Sequence, residues 1–234
     1  MSGGLEIRNT HPRHDSSMQV HIDNVIESSM AELVESMKGS DVIILGESHV
    51  TNECYKQEIL RPVKEVLDET GRKIDFGLEH YNWSFDIAKS LGRYMRNPDD
   101  KDTIAKLKLV YGYDFEGSVK PLLDFARRYA KGIWPLGNKD RKNCTYVDFE
   151  EHVVKIVCHY LKDERGGRGF VGVVGNDHLV DDSGNIIIPH FTSEMGLTER
   201  VTVVLNKGTS NRFQVNQKGT YRLNGEKNFY LRVL

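Results

Sequence analysis

Hydrophobic positions along the chain follow two alternating patterns. Short apolar runs at 42–45 (VIIL), 133–136, 169–174 and 201–205, with an alternating segment at 73–78, predict five strands. Between them the apolar positions recur near a 3.6 period, which predicts helices. One covers 22–37 through Ile22, Ile26, Met30, Leu33, Val34 and Met37, and stops at Gly39. A second is capped by Asn52, buries Tyr55, Ile59, Val63, Val66 and Leu67, and stops at Gly71. Further helices are predicted over 85–95 and 103–109, from Ser118 with Leu122, Leu123, Phe125, Ala126 and Tyr129 inward, and over 149–162. Strand–helix–strand repeated in this way predicts an α/β fold: a mostly parallel sheet with helices on both faces. The tail changes pattern. Strand alternation around Asn224 and Gly225 predicts a C-terminal antiparallel hairpin at a sheet edge. Residues 1–20 are polar and read as a leader, leaving 21–234 as a single domain.

Composition narrows the class. A chain of 234 residues can bury a full core without staples, and 38% hydrophobic with 28% charged residues is ordinary for a globular protein. A formal charge of −2 gives no electrostatic argument for nucleic acid or an anionic membrane. Cys54, Cys144 and Cys158 form no CxxC pair, so neither a disulfide framework nor a cysteine zinc site is expected. With no apolar run of about 18 residues and no h-region, the expectation is a cytoplasmic protein.

The chemistry gathers where strands end. The stretch DVIILGESHV places Glu47, Ser48 and His49 after the first strand of the series. Glu79 and His80 follow the second, Asn138, Lys139 and Arg141 the third, and Asn176, Asp177 and His178 the fourth. In an open parallel sheet, ligands bind outside the carboxyl ends of the strands, so these four turns share one rim. Two of them have one form, glycine, two residues, histidine: Gly46 to His49 and Gly175 to His178. The glycine is expected to let the backbone turn without a Cβ clash.

Paired G-x-x-H motifs with Glu79 between them resemble the ChaN-like, haem-uptake and Tiki superfamily, to which TraB proteins and erythromycin esterases are related. The segment YGYDFEGSVKPLLDFARRYAKGIWPLGNKDR is similar to the ChaN-like run of aromatic residues, proline-leucine helix and Asn-x-x-Arg turn, and GNDHLVDDSGNIIIP resembles that family's last motif. The likeness extends over about 41–196. It implies an erythromycin esterase/ChaN-like α/β domain.

Two chemistries fit these residues. His49, Glu79 and His178 form a two-histidine, one-carboxylate set able to hold a divalent metal and leave a position for water. Alternatively a histidine takes a proton from water directly, a carboxylate orients it, and Arg141 or Asn138 meets the oxyanion. Resemblance to Tiki implies the first and to erythromycin esterase the second. Either makes the chain a hydrolase of an ester or amide in a small-molecule or peptide substrate. Catalytic candidates are His49, Glu79, His178 and Glu47; substrate-binding candidates are His80, Asn138, Arg141, Asn176 and Asp177. Glu47 and His80 also suit the role of orienting the histidines, and Arg141 that of pairing with Glu47 or Asp177. ChaN resemblance implies the other class, a haem- or iron-complex-binding protein without catalysis. His152 and His159 read as helix-surface residues, while Tyr81 and Trp83 wall the pocket or pack in the core.

Overall fold

The segment Val42–Glu47 is buried at all six positions, as only a strand covered on both faces can be. The structure, a computed structural model, describes residues 25–48, 52–79, 85–112, 115–136, 153, 155, 169–179, 200–207, 215, 217–223 and 228–234. Among them eight strands form one sheet: β1 (Val25–Ser28), β2 (Val42–Glu47), β3 (Ile74–Leu78), β4 (Ala130–Pro135), β5 (Gly169–Gly175), β6 (Val201–Lys207), β7 (Gly219–Leu223) and β8 (Phe229–Val233). Their order is β1-β7-β8-β6-β2-β5-β3-β4. The six strands from β8 to β4 run parallel, and β7 is antiparallel to both β8 and β1. The antiparallel C-terminal pair is present. The outer edge, however, is β1, because β8 extends the parallel sheet beside β6.

The first predicted helix is corrected. Residues 25–28 are strand β1, and helix α1 begins only at Met30 (Met30–Lys38). The reason is local: Ser29 Oγ accepts from the Glu32 amide at 3.1 Å, and Glu32 returns a carboxylate to the Ser29 amide at 2.9 Å. This capping box starts the helix there. Ile26, which fitted the helical period, pairs with β7 instead, as does Val25 beside it.

Helix α2 (Glu53–Thr70) follows the prediction: Asn52 Oδ1 accepts from the Tyr55 amide at 3.1 Å, and Gly71 at φ 63° closes it in a left-handed turn. The other described helices are α3 (Phe85–Arg96), α4 (Lys101–Tyr111) and α5 (Lys120–Tyr129), the last entered through a π-helical turn at Phe115–Val119.

Alternation along the strands divides the core. Ile43, Leu45, Phe76, Leu78, Val171 and Val173 face helices α1 to α5. Val42, Ile44, Phe170, Val174, Val201 and Val203 face away, together with Val153 from the predicted 149–162 helix. Most of that helix lies outside the described residues, as do the 1–20 leader and the turn at Asn224 and Gly225. No helix among the described residues is long and apolar enough to cross a membrane.

Candidate functional site

Strands β2 and β5 are neighbours, yet the chain leaves them in opposite directions. From β2 it passes to β3 on one side, and from β5 to β6 on the other. This is a topological switch point, where an open α/β sheet forms its crevice. The pairing sets Glu47 opposite Gly175 and Leu78 opposite Val173, so the carboxyl ends of β2, β5 and β3 are level.

Glu79 follows β3 directly. Its amide donates to the Val173 carbonyl at 3.1 Å, which fixes its backbone to the adjacent strand. The side chain, 6% exposed, reaches under the next turn: Oε2 accepts from the Gly175 amide, and Oε1 lies 3.3 Å from His178 Nε2. The His178 ring is held by a single 3-10 turn, Asn176–His178, and is 15% exposed. With Nε2–H directed at the carboxylate, the ring's lone pair falls on Nδ1, which is buried in this structure. A buried carboxylate beside an imidazole is an arrangement that can orient the ring for proton transfer.

The glycine of the first motif has another reason to be glycine than the one expected. Among the described residues positive φ occurs only at Gly71 and Gly112, so Gly46 has ordinary extended backbone. Space decides the matter. A Cβ on Gly46 would lie 2.3 Å from Asn176 Oδ1 and 2.9 Å from Leu179 Cδ1. The second motif packs its side chains directly onto the first.

Below the rim lies a buried polar layer. The Glu47 carboxylate is ion-paired with Lys56 Nζ of α2, both side chains at 1% exposure or less. Tyr55 Oη accepts from the Ser48 amide at 2.8 Å and donates to the Asn206 carbonyl at 3.0 Å. Asn176 Nδ2 donates to that same carbonyl at 2.9 Å, and Asn206 Nδ2 donates to the Gly46 carbonyl at 2.9 Å. Arg232 Nη1 donates to Asn206 Oδ1 at 3.3 Å and to the Glu58 carbonyl at 2.8 Å. Burial raises the Tyr55 phenol to about 12 and lowers the Arg232 guanidinium to about 10.

Of the residues expected at the rim, Glu79 and His178 meet directly, and Glu47 and Asn176 are built into the layer beneath. His49, His80, Asn138 and Arg141 lie outside the described residues, and of Asp177 only the backbone is described. Among the described residues no group of three metal-binding side chains converges. The two that meet are spaced suitably for a metal as well: ligand atoms about 2.0–2.1 Å from a tetrahedral ion lie about 3.4 Å apart. Sequence reasoning missed Lys56, Asn206 and Arg232. A signal existed for the first two: Lys56 adjoins the buried stripe of α2, and Asn206 follows the apolar run VTVVL.

No family model matches the chain, and no curated protein matches it in sequence. Similarity appears among solved structures. The type III effector HopBA1 is 10% identical, with 90% of this chain and 96% of that chain covered at a TM-score of 0.50. Weaker likenesses are the haem-binding ChaN of Campylobacter jejuni (15% identity, 81% of this chain, 93% of that chain, TM-score 0.44) and the toxin effector domain RRSP of Vibrio vulnificus (15%, 79%, 37%, TM-score 0.47). The chain thus spans little more than a third of the RRSP chain. The HopBA1 likeness, over nearly the whole of both chains, agrees with the α/β fold described above.

Proposed function

We propose that the chain is a hydrolase in which His178, oriented by Glu79, activates water against an ester or amide carbonyl. One observation carries this reading: the 3.3 Å approach of Glu79 Oε1 to His178 Nε2 at the carboxyl ends of parallel strands. The G-x-x-H pair, with its resemblance to Tiki and erythromycin esterase-type proteins, adds to it. In the reaction, a water O–H bond breaks and its proton passes to the imidazole. The oxygen adds to the carbonyl carbon, and the leaving alkoxide or amine takes the proton as it departs. His49, of the other G-x-x-H motif, is assigned to complete the set. Asn138 and Arg141 are assigned to the oxyanion, and His80 and Asp177 to the substrate.

A divalent ion at this rim would be held by His49, Glu79 and His178 and would supply an acidified water. We read 21–234 as one domain, in keeping with a sheet whose strands run from Val25 to Val233.

The test uses purified protein, a panel of generic esters and peptides, and the variants His49→Ala, Glu79→Gln and His178→Ala. Hydrolysis by the wild type, lost in all three, supports the proposal, and its response to a chelator assigns the water to metal or to histidine alone. A haem Soret band abolished by the histidine variants, with no hydrolysis, replaces it with the ChaN-type binding role.

A further inference from the structure

We infer that Asn206 is a positioning residue that holds the two G-x-x-H segments in their working relation. Its consequence for catalysis rests on the Glu79–His178 reading above. Asn206 ends the apolar run of β6 and is fully buried, an unfavourable place for an amide without a use. Its bonds go to both segments that carry a G-x-x-H motif. Through Nδ2 it holds the Gly46 carbonyl, three residues before His49. Through its own carbonyl it holds Asn176 Nδ2, two residues before His178, and also Tyr55 Oη. Tyr55 in turn accepts from the Ser48 amide, adjacent to His49. Arg232, bonded to Asn206 Oδ1, fixes the side chain from the opposite side.

One residue thus ties β2, the turn after β5, α2 and β8 together. Asn176 takes a different part here from substrate binding. Its Nδ2 is committed to the brace, and its Oδ1, buried and without a hydrogen-bond partner among the described residues, lies against Gly46. Buried networks of this kind fix a unique arrangement only while every donor is placed.

The test is Asn206→Asp, with Asn206→Ala beside it. Aspartate keeps the acceptor toward Arg232 and the main-chain carbonyl, removes the donor to the Gly46 and Val204 carbonyls, and places a charge beside Arg232. Alanine removes the donor without adding that charge. Three readouts follow: amide hydrogen exchange, the His178 ring-nitrogen NMR signals, and kcat against KM on the substrate found in the panel. The brace predicts that exchange at Ser48 and Gly175 rises by about tenfold or more while Val42 and Val171, at the other end of the same strands, stay protected. It also predicts that His178 leaves its single Nε2–H tautomer for a mixture. For the enzyme, kcat falls about tenfold with KM within about twofold. Uniform exchange changes along both strands, or unaltered His178 signals in both variants, would overturn the brace. A wild type without hydrolysis counts against the catalytic reading alone, because exchange and ring signals still decide the brace.

Discussion

The side-chain oxygen of Asn176 occupies the space that a Cβ on Gly46 would fill, 2.3 Å from where that atom would sit. The two G-x-x-H motifs are therefore in direct contact, glycine of one against the residue after the glycine of the other. Gly46→Ala is expected to destabilise the protein by about 1–3 kcal/mol through overpacking. Gly39→Ala, whose nearest neighbour stands at 3.6 Å, should be close to neutral. Urea denaturation of both, and of Gly46→Ala in an Asn176→Ala background, checks this: the double variant should recover part of the loss.

Glu79→Gln tests the dyad with the shape kept. Glutamine retains an acceptor for the Gly175 amide but loses the carboxylate that faces His178. Hydrolysis should fall about 100-fold or more while the thermal midpoint moves little. An unchanged rate would remove Glu79 from the chemistry.

Lys56 and Glu47 form a pair with no access to solvent. Lys56→Met leaves a buried carboxylate without its cation and should cost about 3–5 kcal/mol. The double variant Lys56→Met/Glu47→Leu should regain most of that stability. Should activity return as well, Glu47 acts only as a structural partner; stability without activity gives it a part at the rim.

At alkaline pH, Tyr55 has its own signature. Its phenol is raised from the usual 10 to about 12, mainly by burial, so between those values the folded state holds a proton that the unfolded state has released. Its contribution is complete below about 10 and is lost as pH rises toward 12. Arg232, lowered to about 10, has the opposite sign and gains with pH. Tyr55→Phe loses the two hydrogen bonds at every pH but escapes the alkaline penalty, having no phenol to titrate. The gap between wild type and variant in urea midpoint should narrow steadily above about pH 10.

The elements were legible where one local signal dominated. The run VIIL and the stripe Tyr55, Ile59, Val63 each had a single periodic interpretation, and β2 and α2 followed it. Residues 22–29 carried two signals, an apolar spacing that suited a helix and the Ser29–Glu32 box that starts one later, and the box prevailed once β7 was there to pair with Val25. Strand order was not legible, because nothing local in 169–175 says that β5 enters between β2 and β3. For the same reason Lys56 and Asn206 were missed. Each is polar within an apolar pattern, and its partner comes from an element the pattern cannot place. Gly46 was found for the wrong cause: its spacing suggested a turn, whereas its neighbour demands room.

The late insertion of β5 also bears on how the molecule is made. Glu79 accepts its hydrogen bond from an amide 96 residues further on, and until Gly169–Gly175 has left the ribosome β2 and β3 have no strand between them. The nascent chain therefore carries the facing edges of β2 and β3 unpaired through the synthesis of about two-fifths of its length, and closure awaits a long-range contact, the slow kind. Any fragment ending before Gly169 lacks both a continuous sheet and the Glu79–His178 contact.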